Sequence, residues 1–204
     1  GIKPILAGRT RDKTEAHAKE FGLESRVFAL EDPAEIDRAL AGVSVVLHCA
    51  GPFSRTAVPM AQACIRNKCH YLDITGEIEV FEALHGMDAD AKTAGVMLMP
   101  GTGFDVVPSD CLAAHLKSKL PDAFDLVLAI QAIGRPSRGT ATTMIENVHK
   151  GGLIRVNGKL SKVPSAWQTL DFDLGEGDVS CMTIPWGDVS TAFYSTGIPN
   201  IRVF

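Results

Sequence analysis

Arg9 is the first residue in the chain whose type and position could do chemistry. It follows the short apolar stretch Ile5-Leu6-Ala7-Gly8 and precedes the amphipathic run Asp12–Phe21, so it stands in the turn between a strand and a helix. A dinucleotide enzyme that reads a free ribose 2′-hydroxyl carries an acidic residue in such a turn. A guanidinium suits a 2′-phosphate instead. Thr10 could supply a hydroxyl and Arg11 further charge. The alternative for the residues taken alone is a solvated basic turn ahead of a helix.

Two more strand ends carry ligand-compatible residues. Val43–Phe53, VSVVLHCAGPF, is a near-continuous apolar run that reads as a buried parallel strand, stopped by Gly51-Pro52. Ligands of open α/β sheets bind beyond the carboxyl ends of strands, where the backbone of Ala50, Gly51 and Pro52 could line a flat or charged molecule. Phe53 either packs against a ribose or nicotinamide edge or fills core. His70–Thr75 ends in Gly76-Glu77, and Glu77 either hydrogen-bonds a carboxamide or substrate or stabilises a helix start.

Farther on, Gly103-Phe104-Asp105 and Pro108-Ser109-Asp110 join the two halves of the chain. Asp105 is the best-placed acid or base, although capping of the Pro108 helix is the simpler account of it. Ser137-Arg138-Gly139-Thr140 opens a helix and could meet an anion or be a capped start. Asp32 is explained by N-capping ahead of Pro33. His48 reads as a satisfied core histidine, and His70 and Tyr71 as structural. There is no Tyr-x-x-x-Lys pair and no metal-ligand cluster, so the catalytic group stays unknown and no metal is expected.

The elements that must position these residues alternate through the first part of the chain. Strands read at Gly1–Gly8 (a short strand with a turn), Arg26–Leu30, Val43–Ala50, His70–Thr75 and Val96–Met99. Helices read at Asp12–Phe21, Pro33–Ala41, Thr56–Lys68, Ile78–Thr93 (broken near Gly86) and Pro108–Leu120. Alternation of this kind demands a parallel sheet with right-handed crossovers. Residues 1–120 are therefore expected to form an α/β, Rossmann-like doubly wound domain.

Residues 121–204 read as an α+β domain for substrate or dimerisation. They contain a strand at Ala123–Ile133, a helix at Gly139–Lys150 and a hairpin around Asn157-Gly158. Strands at Thr169–Asp173, Ser180–Ile184 and Ile198–Phe204 and a short helix near Trp186–Tyr194 complete it. The G-x-G-x-x-G fingerprint that seats a pyrophosphate is absent, and the opening strand behaves as the second of the fold. The expectation is a piece of a longer chain, lacking the first strand and glycine motif and cut on its C-terminal side too. Loss of that strand should split the sheet, because it lies between strands two and four.

A net charge of -4 offers no basic field for nucleic acid. Hydrophobic residues at 46% and charged residues at 22% fit a soluble globular protein, and no apolar run reaches the ~20 residues of a membrane span. Five cysteines without a CxxC pattern suit a reducing, cytoplasmic setting. Cys49 and Cys64 read as buried thiols.

Five motifs occur in order: Ala7-Gly8-Arg9-Thr10, Cys49-Ala50-Gly51-Pro52-Phe53, Tyr71-Leu72-Asp73-Ile74-Thr75-Gly76-Glu77, Gly103-Phe104-Asp105-Val106-Val107-Pro108-Ser109-Asp110 and Ser195-Thr196-Gly197-Ile198-Pro199-Asn200. In these the chain resembles the saccharopine dehydrogenase-like NAD(P)-dependent oxidoreductases, trans-acting enoyl reductases among them. The resemblance implies hydride transfer to or from a small imine, carbonyl or enoyl substrate, with NADP expected ahead of NAD. The cofactor-binding residues expected are Gly8, Arg9, Thr10, Ala50, Gly51, Pro52, Phe53, Gly76 and Glu77. The alternative is a non-catalytic NADP-binding sensor or partner-binding protein on the same fold. A homodimer, paired through the strands after Thr169, is a further expectation.

Overall fold

A computed structural model describes residues 2–131, 151–173, 175 and 177–204. The chain divides into two compact units. One comprises Gly1–Asp73 with Ala83–Pro100, the other Ile74–Glu82 with Gly101–Phe204.

In the first unit β1 (Leu6–Gly8) leads into α1 (Arg11–Phe21) and returns as β2 (Ser25–Val27), parallel to β1 with Leu6 beside Ser25. Gly22 stops α1 in the left-handed conformation, φ 64°, and its N–H reaches back to Ala18 O and Lys19 O, as a C-terminal glycine should. Asp32 caps α2 (Pro33–Ala39) through a 2.8 Å bond from Ala34 N. Next come β3 (Val45–His48), α3 (Phe53–Arg66) and β4 (His70–Asp73). The region read as one broken helix is two, α4 (Ile78–His85) and α5 (Asp88–Ala94), and β5 (Leu98–Met99) follows. The unit boundary falls inside α4.

The parallel strands fall into two sheets, β1-β2 and β3-β4-β5. In the second, Val45 lies beside His70 and Leu72 beside Met99, so β3, β4 and β5 run in one direction and end on one edge. Burial corrects the expectation for β3. Val46 and His48 lie on its shielded face, whereas Val45 and Leu47 are 50% and 60% exposed. Met97 and Met99 continue that open face. An apolar run marks a strand destined for two covered faces, but coverage is set by the whole sheet. The covered face lies under α3, whose small buried residues Ala57, Ala61 and Cys64 allow a close approach.

The second unit begins after β4 and is built around a mixed sheet ordered β6-β11-β7-β8. Its elements are α6 (Val107–Lys119), β6 (Asp125–Leu128), β7 (Gly152–Val156), β8 (Lys159–Val163), β9 (Thr169–Asp173), β10 (Asp178–Met182), α7 (Asp188–Thr196) and β11 (Asn200–Val203). β11 is parallel to β6 and antiparallel to β7, while β9 and β10 pair separately. The β7–β8 hairpin turns at Asn157 and Gly158, both at positive φ (49° and 79°), as the Asn-Gly pair foretells. Its core gathers Ala113, Leu126, Leu128, Val189, Ala192, Ile198, Ile201 and Val203. Ala113 carries α6 into this core, so α6, read with the first domain, packs on α7 in the second unit. The helix expected at Gly139–Lys150 lies outside the described residues.

Candidate cofactor and acid-base site

In the first unit, the Arg9 side chain stands exposed just past the carboxyl end of β1 and has no ion pair among the described residues. Arg11 does not reinforce it, because its Nη1 is held 2.8 Å from Glu15 Oε1 along α1. Thr10 is the N-cap residue of α1, yet its hydroxyl caps nothing. Gly8 is tightly packed: a Cβ there would stand 2.5 Å from Thr14 Oγ1, which bonds back to Thr10 O.

Gly51 behaves differently. A Cβ on it would meet nothing of its own chain closer than 3.8 Å, in Phe53, and its φ is not positive. The fold does not require glycine there, and the open space beside it is the kind a ligand backbone contact needs. Ala50 O and Pro52 O both accept from Thr56 Oγ1, at 2.6 and 3.1 Å, which fixes the segment as it enters α3. Pro52 follows a cis peptide bond. Phe53 is half-buried, its ring edge against His48 with centroids 5.7 Å apart, so it serves as packing at least in part.

His48 is less settled than a satisfied core histidine. It is buried, its Nε2 has no partner, and burial lowers its pKa while the Asp73 carboxylate acts in the opposite direction. Beside it Tyr71 donates to Asp73 at 2.7 Å, and burial raises the phenol's pKa. Cys49 is exposed rather than buried, while Cys64 is buried as expected. Cys49 follows the strand end and turns out with it.

In the second unit, Thr75 Oγ1 accepts from Glu77 N at 3.0 Å, and Glu77 O accepts from Val80 N and Phe81 N to begin α4. The Glu77 backbone thus serves the helix start. Gly76 lies against Asp105: Asp105 Oδ2 stands 2.8 Å from the point a Cβ on Gly76 would occupy. The expected capping role of Asp105 is absent, since Val106 is the N-cap residue of α6 and no side chain caps it. The Asp105 residue is exposed, yet crowding of its carboxyl is enough for desolvation to raise its pKa.

Sequence reading missed the segment that completes this cluster, Trp186-Gly187-Asp188. Trp186 Nε1 donates to Asp105 O at 2.7 Å, and a Cβ on Gly187 would strike Val106 at 2.5 Å. Asp188 is fully buried, and burial lifts its pKa to about 6 against the opposing pull of the Ser109 hydroxyl. No local period announces these three residues; Gly187 beside tryptophan was the one available signal. A second missed group centres on Glu82, which accepts from Ser190 Oγ at 2.6 Å, Arg155 Nη2 at 2.8 Å and Tyr194 OH at 3.0 Å. The buried Arg155 also donates to Val189 O and Gly158 O and lies 4.3 Å from the Phe193 ring centroid. This network ties α4 to β7 and α7.

NADP supplies hydride chemistry when bound, and the residues fit it: an uncommitted cation at Arg9, a free hydroxyl at Thr10 and open space at Gly51. Among the described residues no group of histidine, cysteine or acidic side chains could hold a metal ion. No helix of the described residues is long and apolar enough to cross a membrane.

Comparison with known proteins shows what the chain is similar to. Residues 2–99 match the family described as the saccharopine dehydrogenase NADP binding domain. A saccharopine dehydrogenase-like oxidoreductase of Bos taurus is 29% identical over 146 residues, covering 66% of this chain and 34% of that protein. A trans-acting enoyl reductase of Mycobacterium ulcerans is 29% identical over 120 residues, covering 57% and 28%. The chain thus spans about a third of the length of the curated relatives it matches. Apo saccharopine dehydrogenase (L-Glu forming) from Saccharomyces cerevisiae shares the fold, with TM-score 0.67 and 16% identity over 99% of this chain and 49% of that one. Residues 2–99 of the chain thus match the saccharopine dehydrogenase NADP binding domain, in a Rossmann-like α/β fold, and the chain is similar to saccharopine dehydrogenase-like oxidoreductases.

Proposed function

We propose that this chain is the cofactor-binding part of an NADP-dependent oxidoreductase that moves hydride to or from a small imine, carbonyl or enoyl substrate. The observation that carries the reading is the uncommitted Arg9 guanidinium at the end of β1, in a domain matched to NADP binders. It would pair with the 2′-phosphate, with the Thr10 hydroxyl beside it. The backbone at Ala50, Gly51 and Pro52 would approach the dinucleotide, and Gly76-Glu77 would meet its nicotinamide end. The name of one relative, a trans-acting enoyl reductase, supports the enoyl class, and the name saccharopine dehydrogenase-like oxidoreductase supports an oxidoreductase without choosing a substrate.

All five cysteines are free thiols, which supports a reducing, cytoplasmic setting. A homodimer through the strands after Thr169 remains part of the proposal. Turnover of NADPH against a panel of small imines, ketones and enoyl thioesters tests the activity. Consumption with one class supports an enzyme; NADPH binding with no turnover of any class favours a sensor.

A further inference from the structure

Asp105 is an acidic residue against Gly76 whose conformation the hydrogen bonds among the described residues do not explain. It does not cap α6, its carboxyl accepts no hydrogen bond among the described residues, and its side chain lies against Gly76 with Oδ2 2.8 Å from the missing Cβ. Its backbone, by contrast, is held firmly, with the carbonyl fixed by the Trp186 indole at 2.7 Å. A carboxyl that is anchored by its main chain, uncommitted at its oxygens and open to solvent can exchange a proton without disturbing the fold.

Resting on the NADP reading above, we infer that Asp105 is the proton carrier of the hydride-transfer site, facing the nicotinamide end at Gly76. In the reducing direction the substrate's unsaturated bond accepts hydride at carbon, and its electron pair moves to the partner nitrogen, oxygen or carbon. The Asp105 O–H breaks to protonate that atom. The carboxylate left behind regains its proton from solvent. The reverse direction runs the same transfers backwards, with Asp105 as the base.

Acidic groups stand on the elements that adjoin Asp105 along the chain or through Gly76 and Trp186: Glu77 after Gly76, Glu79 and Glu82 on α4, Asp188 at the start of α7 and Asp110 in the first turn of α6, while the shift of Asp105 itself comes from desolvation. Glu82 is matched by Arg155, and Asp110 accepts from Ser195. Desolvation raises the Asp105 pKa, which keeps its proton available nearer neutrality than an ordinary carboxyl.

The test is the pH dependence of NADP⁺ and NADPH affinity, measured on the chain by titration calorimetry from about pH 3 to about pH 8, a range that starts below the ordinary carboxyl value. The oxidised ring is cationic and the reduced ring neutral, so an adjacent carboxylate favours the oxidised form once it ionises. The 2′-phosphate titrates in the same range but belongs to both forms and cancels in their ratio. NADP⁺ should gain on NADPH by about fivefold to tenfold as pH rises. Asp105→Asn should flatten that dependence, while Asp188→Asn, which removes the other raised carboxyl, should keep it. A flat ratio in the unsubstituted chain, or one unchanged by Asp105→Asn, overturns the assignment while leaving the cofactor reading intact. Failure to bind either form overturns the cofactor reading and the assignment together.

Discussion

At the residue scale, glycines distinguish packing from binding. Gly8 ends β1 and Gly51 follows β3, but of the two only Gly8 is crowded by a neighbour, Thr14. Gly51→Ala should therefore leave stability within about 1 kcal/mol and weaken NADPH binding by about tenfold. Unfolding midpoints and calorimetric titration would check the two halves of that expectation. Asp188 gives a stability prediction with a definite sign. Its carboxyl is raised from the ordinary 3.8 to about 6, because burial disfavours the charged form. The folded state therefore binds its proton more tightly than the unfolded state. The stabilisation is full below about pH 4 and lost as pH climbs through about 6. The loss amounts to about 3 kcal/mol. Denaturant midpoints across that range should fall with rising pH, and Asp188→Asn should remove this component.

At the element scale, the decisive tie is Glu82 on α4 with Arg155 on β7. The arginine side chain is 3% exposed and the glutamate 32%. Glu82→Gln would strand a buried guanidinium and should cost about 3 kcal/mol in denaturant unfolding, the lower end for a broken buried pair. Burial would raise the Glu82 pKa, but Ser190, Tyr194 and Arg155 together outweigh it and hold it low. That contribution is lost as pH falls, opposite in sign to Asp188.

The strand–helix alternation was legible in the sequence because Gly22, Asp32-Pro33, Gly51-Pro52 and Asn157-Gly158 punctuate it with residues of known backbone preference. The Glu82–Arg155 tie was not, since its members lie 73 residues apart and neither interrupts a local pattern. The open face of β3 escaped for a related reason. Val45 and Leu47 have the same apolar character whether or not anything covers them. Of the candidate site, Arg9, Gly51 and Gly76 could be read from strand ends, and Asp105 only as one of two roles. Its packing on Gly76 and its anchor on Trp186 are products of tertiary structure.

At the scale of the whole molecule, a family match over residues 2–99 points to NADP, and β3 and β4 run parallel to end on one edge. Added NADPH should raise the melting temperature of the chain. A purely structural α/β module predicts no shift. The preference between cofactors follows from a single cation, because a charge-assisted hydrogen bond to phosphate is worth about 1.5–3 kcal/mol, or about ten- to a hundredfold in affinity. The most direct measurement is calorimetric binding of NADPH and NADH to the chain and to Arg9→Ala. NADPH should bind at least about tenfold more tightly to the unsubstituted chain, and Arg9→Ala should bring the two cofactors level. Equal affinities before the substitution, or a preference that survives it, would contradict the account.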